Sequence, residues 1–242
     1  MAPPSDSRGM RLDDLTSEEF ASSVRPDTVV ILPIGSIEAH GRHLPLGSDP
    51  IQPMHALAQV AERTGALVAP PIPYGVLTST RPFPSSIGVS FDALRAFVRD
   101  LLRDLVRQGV RRVMIVSGHA AGAHLAALRE APQEVVDEGS LRATVLSDYD
   151  LIYASGLVPE GEGHAGMAET SRLLVHRPDL VKGVSPKGEN RTPPYAVVAD
   201  ARPYWPSVTG DPSKATKDYG QELDRLIVDG LARLVDELRR RP

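Results

Sequence analysis

Two runs, Val29-Val30-Ile31-Leu32-Pro33-Ile34 and Val113-Met114-Ile115-Val116, carry no polar side chain at any position. A strand turns successive side chains to opposite faces, so a strand with nothing polar on either face must be covered on both sides. A parallel sheet between two layers of helices meets that requirement. Shorter apolar runs at 67–69 and 144–146 repeat the signal, and between the runs the sequence changes to helical period at 51–63, 91–108 and 123–137. In the second of these segments Leu94, Phe97, Val98, Leu101, Leu102, Leu105 and Val106 recur at steps of three and four, and Gly109 stands where a left-handed cap closes a helix. Further helices are predicted at 167–175, stopped near Pro178, and at 213–240, where Arg239, Arg240 and Arg241 suit a helix C-terminus. The expected architecture is a single three-layer α/β/α domain with a mostly parallel sheet over residues 28–242. A polar tail with one short helix, residues 1–27, precedes it. The segment 178–212 is rich in Pro, Gly and charge and reads as a long surface excursion with room for a hairpin.

Composition removes whole classes of chemistry. The 242 residues include no cysteine, which excludes disulfide scaffolds, thiol catalysis and thiolate metal sites, so any metal must be held by His and carboxylate. With 27 basic and 31 acidic residues and no basic block, nucleic acid is not an expected partner. No stretch reaches the roughly 18 to 20 apolar residues of a membrane span, and the opening residues lack the apolar core of a signal peptide. The expected address is therefore the cytoplasm, away from any membrane.

In an open parallel sheet, ligands bind beyond the carboxyl ends of the strands. Three places of this kind carry chemistry here. The run at 29–34 leads into Gly35-Ser36-Ile37-Glu38-Ala39-His40-Gly41 and then Asp49; the run at 113–116 leads into Ser117-Gly118-His119-Ala120-Ala121-Gly122. Further along, Gly163-His164-Ala165-Gly166 opens a helix that carries Glu169, Thr170 and Ser171. Glu38 and His40 are one residue apart, so in an extended segment both project to one side, the spacing of a chelating pair. Asp49 is expected in a loop at Gly47-Ser48 that folds it back over the same strand end, and His119 enters from a different strand. Two imidazoles and three carboxylates (Glu38, Asp49, Glu169) suit zinc, manganese or iron. The carboxylates bring about −3 against about +4 for two divalent ions, and a bridging hydroxide would neutralise the cluster, which favours two ions over one.

Each residue also has a plainer reading. A Glu-x-His at a strand end is often a turn with a surface charge, and Glu169 equally suits the first turn of a helix. The stretch Gly118 to Gly122 could start an anion-binding helix, although it lacks the Lys and the spacing of a phosphate loop. Neither Ser36 nor Ser117 sits in a G-x-S-x-G elbow, so no serine nucleophile is expected. His43, His55, His124 and His176 read as structural or surface residues.

Five blocks, in order, resemble the creatininase (creatinine amidohydrolase) family. They are Pro33-Ile34-Gly35-Ser36-Ile37-Glu38-Ala39-His40-Gly41, His43-Leu44-Pro45-Leu46-Gly47-Ser48-Asp49, Pro70-Pro71-Ile72-Pro73-Tyr74-Gly75, Ser117-Gly118-His119, and Gly163-His164-Ala165-Gly166 with Glu169-Thr170-Ser171. The resemblance implies a parallel sheet between helices, a centre of two divalent metal ions (zinc first, manganese or iron in its place), and hydrolysis of an amide or cyclic amide C–N bond by a metal-bridging hydroxide. It implies Glu38, His40, Asp49 and His119 as metal ligands with Asp49 as the bridge, Glu169 as a further ligand with a part in catalysis, and His164 as the proton donor. It also implies a homo-oligomer, commonly a hexamer.

Departures from the family pattern fall in the pocket. Creatininase carries a Tyr-Glu pair after the metal-ligand His, where this chain has Ala120 and Ala121, so creatinine is not the expected substrate. Many relatives carry Glu-His and then Phe-Pro-Gly-Thr where this chain reads Ser79-Thr80-Arg81-Pro82-Phe83-Pro84. Arg81 could there receive a carboxylate or phosphate. Tyr74, Arg81 and Ala120 are the expected contacts to a small amide substrate. The alternatives are a peptidase trimming a small modified precursor peptide, and a catalytically silent relative serving as a binding or assembly subunit.

Overall fold

The computed structural model describes residues 11–139 and 141–240. The predicted tail at 1–10 and the C-terminal Arg241 lie outside the described residues. In chain order the elements are α1 (Ser17–Ser23), β1 (Val29–Ile34), α2 (Ser48–Thr64), β2 (Leu67–Val68), α3 (Phe91–Arg107), β3 (Arg112–Ser117), α4 (Gly122–Asp137), β4 (Arg142–Ser147), α5 (Asp148–Tyr153), α6 (Met167–His176) and α7 (Lys217–Arg240). The four strands form one parallel sheet in the order β2-β1-β3-β4.

Alternation along the strands sorts the two core layers. Val29 and Ile31 of β1, with Met114 and Val116 of β3, pack among residues of α2, α5, α6 and α7. Val30, Leu32 and Ile34, with Val113 and Ile115, pack among residues of α3 and α4. The all-apolar strands thus have helices on both faces. Pro33, inside β1, takes the Ile72 N–H on its carbonyl at 3.0 Å, on the side where β2 has already ended at Val68. A missing backbone donor at that position removes no rung of the ladder. Ahead of the sheet, α1 is closed by a Thr16–Glu19 capping box, and Phe20 and Val24 lie against the α3/α4 layer.

Three expectations need correction. Asp49 is not in a loop: it occupies the first turn of α2, where Pro50 is tolerated because the first-turn N–H groups have no helical partner. The last helix begins at Lys217 rather than Ser213, because Pro212–Lys214 form a separate turn of 3-10 helix capped by Asp211. The segment 178–212 is only partly a surface excursion. Its hairpin is a single antiparallel bridge between Gly188 and Gly210, and Trp205, Ser207 and Val208 are buried. The short helix α5, with its Ser147–Asp150 capping box, was not anticipated at all.

The strand register puts Ile34 beside Ser117, so the segments leaving β1 and β3 run side by side at the carboxyl end of the sheet, in its middle. Gly118 seals this arrangement. A Cβ there would lie 2.0 Å from the Asp49 carbonyl oxygen, a carbonyl that Pro53, four residues on, has no N–H to bond. Gly118→Ala is therefore expected to cost about 3 kcal/mol or more, a fall of roughly 6 to 12 °C in melting temperature. An unchanged thermal melt would show that the loop is not seated on α2.

Candidate metal centre

Glu38 and His40 leave β1, Asp49 projects from the first turn of α2, His119 follows β3 and Glu169 lies in the first turn of α6. All five side chains are buried, and they converge. His40 Nδ1 donates to the Glu38 carbonyl at 3.0 Å, which leaves the Nε2 lone pair 2.9 Å from Asp49 Oδ1 and 3.3 Å from Glu169 Oε2. His119 Nε2 donates to the Val76 carbonyl at 3.1 Å, so its Nδ1 faces Glu38 Oε1 at 2.7 Å and Asp49 Oδ2 at 3.3 Å. Asp49 thus presents one oxygen to each imidazole. Ser36 Oγ donates to Asp49 Oδ2 at 2.5 Å, Thr80 Oγ1 donates to Glu38 Oε2, and Glu169 Oε2 takes the Ala165 N–H at 3.0 Å.

The donor set fits a cation. Glu38 Oε1 and His40 Nε2 are buried without a hydrogen bond of acceptable geometry, although opposite groups lie close by. Lone pairs that meet head-on in this way are arranged as ligands, with both histidines held from behind by backbone carbonyls. The electrostatics agree. Burial works against a charged His40, but Asp49 and Glu169 outweigh it and raise its pKa well above the usual range. Burial likewise lowers His119, and the carboxylates of Asp49 and Glu38 beside it overcome this, raising it to about 10. Burial would raise Asp49, yet the attraction of His40 and His119 carries it well below the ordinary carboxylate value. Every direction favours positive charge at the centre of the cage. Glu38, Asp49 and His119 offer ligand atoms within 4.8 Å of one another, as do Glu38, His40 and His164.

The cage opens into a cavity of about 370 Å³. His164 lines it; its Nε2 donates to the Ala39 carbonyl at 2.7 Å and its ring lies 4.2 Å from that of His40. The preceding turn is held by Glu162, which accepts the Met167 and Asp211 N–H groups, and Ala165 sits in the left-handed region at φ 52°. Ala120 lines the cavity. Tyr74 and Arg81 do not. Tyr74 lies on an apolar surface groove with Phe97 and Val89, and Arg81 is exposed because the turn at 78–83 points the neighbouring Thr80 inward. Trp205, on the 178–212 excursion, is one wall of the cavity; sequence reasoning missed Thr80 and Ser36 as partners of the carboxylates, and Asn190 and Tyr149 as walls. Of these only the two hydroxyls left a signal, since both lie in the motif blocks or the stretch beside them.

Of the remaining histidines, His43 is a buried strut between Ser185 and Thr170. Burial, with the neighbouring His119, pushes His124 down to about 3, so it is neutral. His55, His176 and Asp224 form a second group. Asp224 is engaged there by Arg172 and His176, and the two imidazoles are stacked 4.1 Å apart. Near-parallel rings aim their lone pairs in separate planes, so this group is a charged clasp between helices.

A model of the creatininase (creatinine amidohydrolase) family matches residues 13–235. A creatinine amidohydrolase from Pseudomonas putida is 30% identical over 257 residues, covering 96% of this chain and 98% of the relative. A mycofactocin precursor peptide peptidase from Mycolicibacterium smegmatis is also 30% identical, covering 90% and 87%. The crystal structure of a creatininase superposes with a TM-score of 0.86 at 28% identity over 96% of this chain and 99% of that one. Solved relatives include a zinc–zinc form of a mutant creatininase and a manganese creatininase, with TM-scores of 0.83 and 0.85. Family model, full-length relatives and superposed structures agree on the fold, and this chain belongs to the creatininase family.

Proposed function

We propose that this chain is a metal-dependent amidohydrolase that cleaves the C–N bond of a small amide or cyclic amide other than creatinine. The observation that carries the reading is Asp49, placed between two imidazoles with one oxygen toward each. Glu38, Asp49 and His119 would hold one divalent ion; His40, Asp49 and Glu169 would hold a second. Bound there, the ions would supply an activated water and polarise the substrate carbonyl.

The chain's own groups do the rest. Ala121, at the N-cap of α4, makes no side-chain hydrogen bond to the first turn, so backbone N–H groups at that helix start can face a developing oxyanion in the cavity. The departing nitrogen needs a proton. His164 has Nε2–H committed to the Ala39 carbonyl, which leaves the Nδ1 lone pair to take a proton from the attacking water and pass it to that nitrogen. Trp205, 5.1 Å from the His164 ring, closes that wall.

Creatinine is set aside because Ala120 and Ala121 stand where creatininase carries a Tyr-Glu pair. Glu169, 3.3 Å from His40 Nε2, is the carboxylate on hand for the ligand position that this Glu would fill. One second reading has support, from the similarity to the mycofactocin precursor peptide peptidase: cleavage of an amide in a short peptide.

Elemental analysis of the purified protein and of His119→Ala, run together, tests the proposal. About two equivalents of divalent metal per chain, with the greater part lost in the variant, are expected. Screening lactams, small amides and short peptides with the loaded protein then separates the two readings. Less than about 0.2 equivalents in the wild type, with no uptake of added zinc, manganese or iron, would reject the metal centre.

A further inference from the structure

His124 is fully buried on the α3/α4 side of the cage and does not itself line the cavity. Its tautomer is dictated. The Val76 N–H donates to Nδ1 at 3.2 Å, so the proton is on Nε2, which donates to Ser117 Oγ at 3.1 Å. Ser117 Oγ in turn donates to the His119 carbonyl at 2.7 Å and accepts the His119 N–H at 3.1 Å. The Val76 carbonyl, one peptide unit from the N–H that His124 holds, takes His119 Nε2–H at 3.1 Å. The hydrogen bonds thus close a circuit that grips His119 at its backbone through Ser117 and at its ring through Val76.

The backbone is shaped for this contact. A Cβ at Gly75 would lie 2.7 Å from His124 Nδ1, so the segment carrying Val76 can lie on the imidazole only because residue 75 is glycine. The His124 ring meets the His119 ring edge-on at 4.8 Å.

The geometry points to His124 as a positioning residue that, through Val76, fixes the rotation and tautomer of His119 so that Nδ1 faces the metal. This rests on the reading of His119 as a ligand. The link runs through Nδ1, and that distinguishes two conservative variants. Asparagine places an amide oxygen near the Nδ1 position and can keep the Val76 bond. Glutamine reaches the Nε2 position, keeps the Ser117 contact and leaves the Val76 N–H buried without a partner. A residue that merely filled space would tolerate both alike.

The test is cobalt(II) binding to the wild type, His124→Asn and His124→Gln, followed by the visible absorption of the bound ion and by competition with a chelator. Cobalt affinity in His124→Asn is expected within about threefold of wild type. In His124→Gln it is expected to be about 10- to 100-fold weaker, with an altered absorption band. Equal affinities in the two variants, whether wild-type or weakened, overturn the positioning role. A wild type that takes up no cobalt overturns the metal reading and this inference with it.

Discussion

His164→Ala is expected to lower turnover of an amide substrate by about 10²- to 10⁴-fold while metal content, melting temperature and substrate KM stay near wild type. The imidazole lies beside the cage. Its Nε2 is bound to the Ala39 carbonyl, and its ring packs between His40 and Trp205 with centroids 4.2 and 5.1 Å away. The five proposed ligands keep their own supports without it: the Glu38 carbonyl behind His40, the Val76 carbonyl behind His119, Ser36 on Asp49, Thr80 on Glu38 and the Ala165 N–H on Glu169. What the variant loses is the proton carrier at Nδ1. A substrate whose leaving nitrogen is already a good leaving group should therefore be less affected than a plain alkyl amide. Elemental analysis beside steady-state kinetics on the two substrate types decides it. Loss of a metal equivalent would make His164 a ligand, an arrangement that its proximity to Glu38 and His40 makes worth testing. An equal loss of rate on both substrates would remove it as the donor.

The frame of this protein was legible because its strands are buried on both faces. No polar residue interrupts 29–34 or 113–116, and the following helices carry clear three- and four-residue periods, so the layers could be assigned before any coordinate. The residues of the cage were legible for a related reason: buried charge is costly, and carboxylates and imidazoles clustered after apolar strands need a common purpose. What escaped was set by contacts distant in sequence. Asp49 reads as a loop residue because Gly47, Ser48 and Pro50 surround it, and the seating of Gly118 on its carbonyl is a contact 69 residues away that nothing local announces. Arg81 offered the attractive charge, yet a turn sends adjacent residues to opposite sides, and the small Thr80 went inward. Tyr149 stood outside every motif block, just past the last strand, where nothing local announces that its ring will wall the site. His124, passed over as structural, has both ring nitrogens committed to partners 48 and 7 residues away.

Arg172→Met is expected to destabilise the fold by about 3 to 5 kcal/mol near neutral pH. Arg172 is fully buried on α6. Its Nη2 lies 2.9 Å from Asp148 Oδ2 on α5 and its Nε 2.8 Å from Asp224 Oδ1 on α7, and its guanidinium sits 5.4 Å from the centroid of the Tyr149 ring, which walls the cavity. Methionine fills much of the volume and returns none of the charge, so Asp148 is left buried without its cation. Asp224 retains His176, 2.5 Å away. The loss should depend on pH in a definite direction. Burial pushes Asp148 up to about 6 even with Arg172 present. In the native protein this group therefore binds a proton that the unfolded chain releases, and its contribution to stability falls as pH rises from about 4 to 6. Without Arg172 the native value rises further and the falling window extends upward. Below about 6 native Asp148 is protonated in both proteins, and the penalty there should shrink. Urea unfolding of both proteins at about pH 7.5 and about pH 5 measures it. A loss of the same size at both values would put the cost in packing rather than in the stranded carboxylate, and a loss under about 1 kcal/mol would show that the clasp between α5, α6 and α7 contributes little.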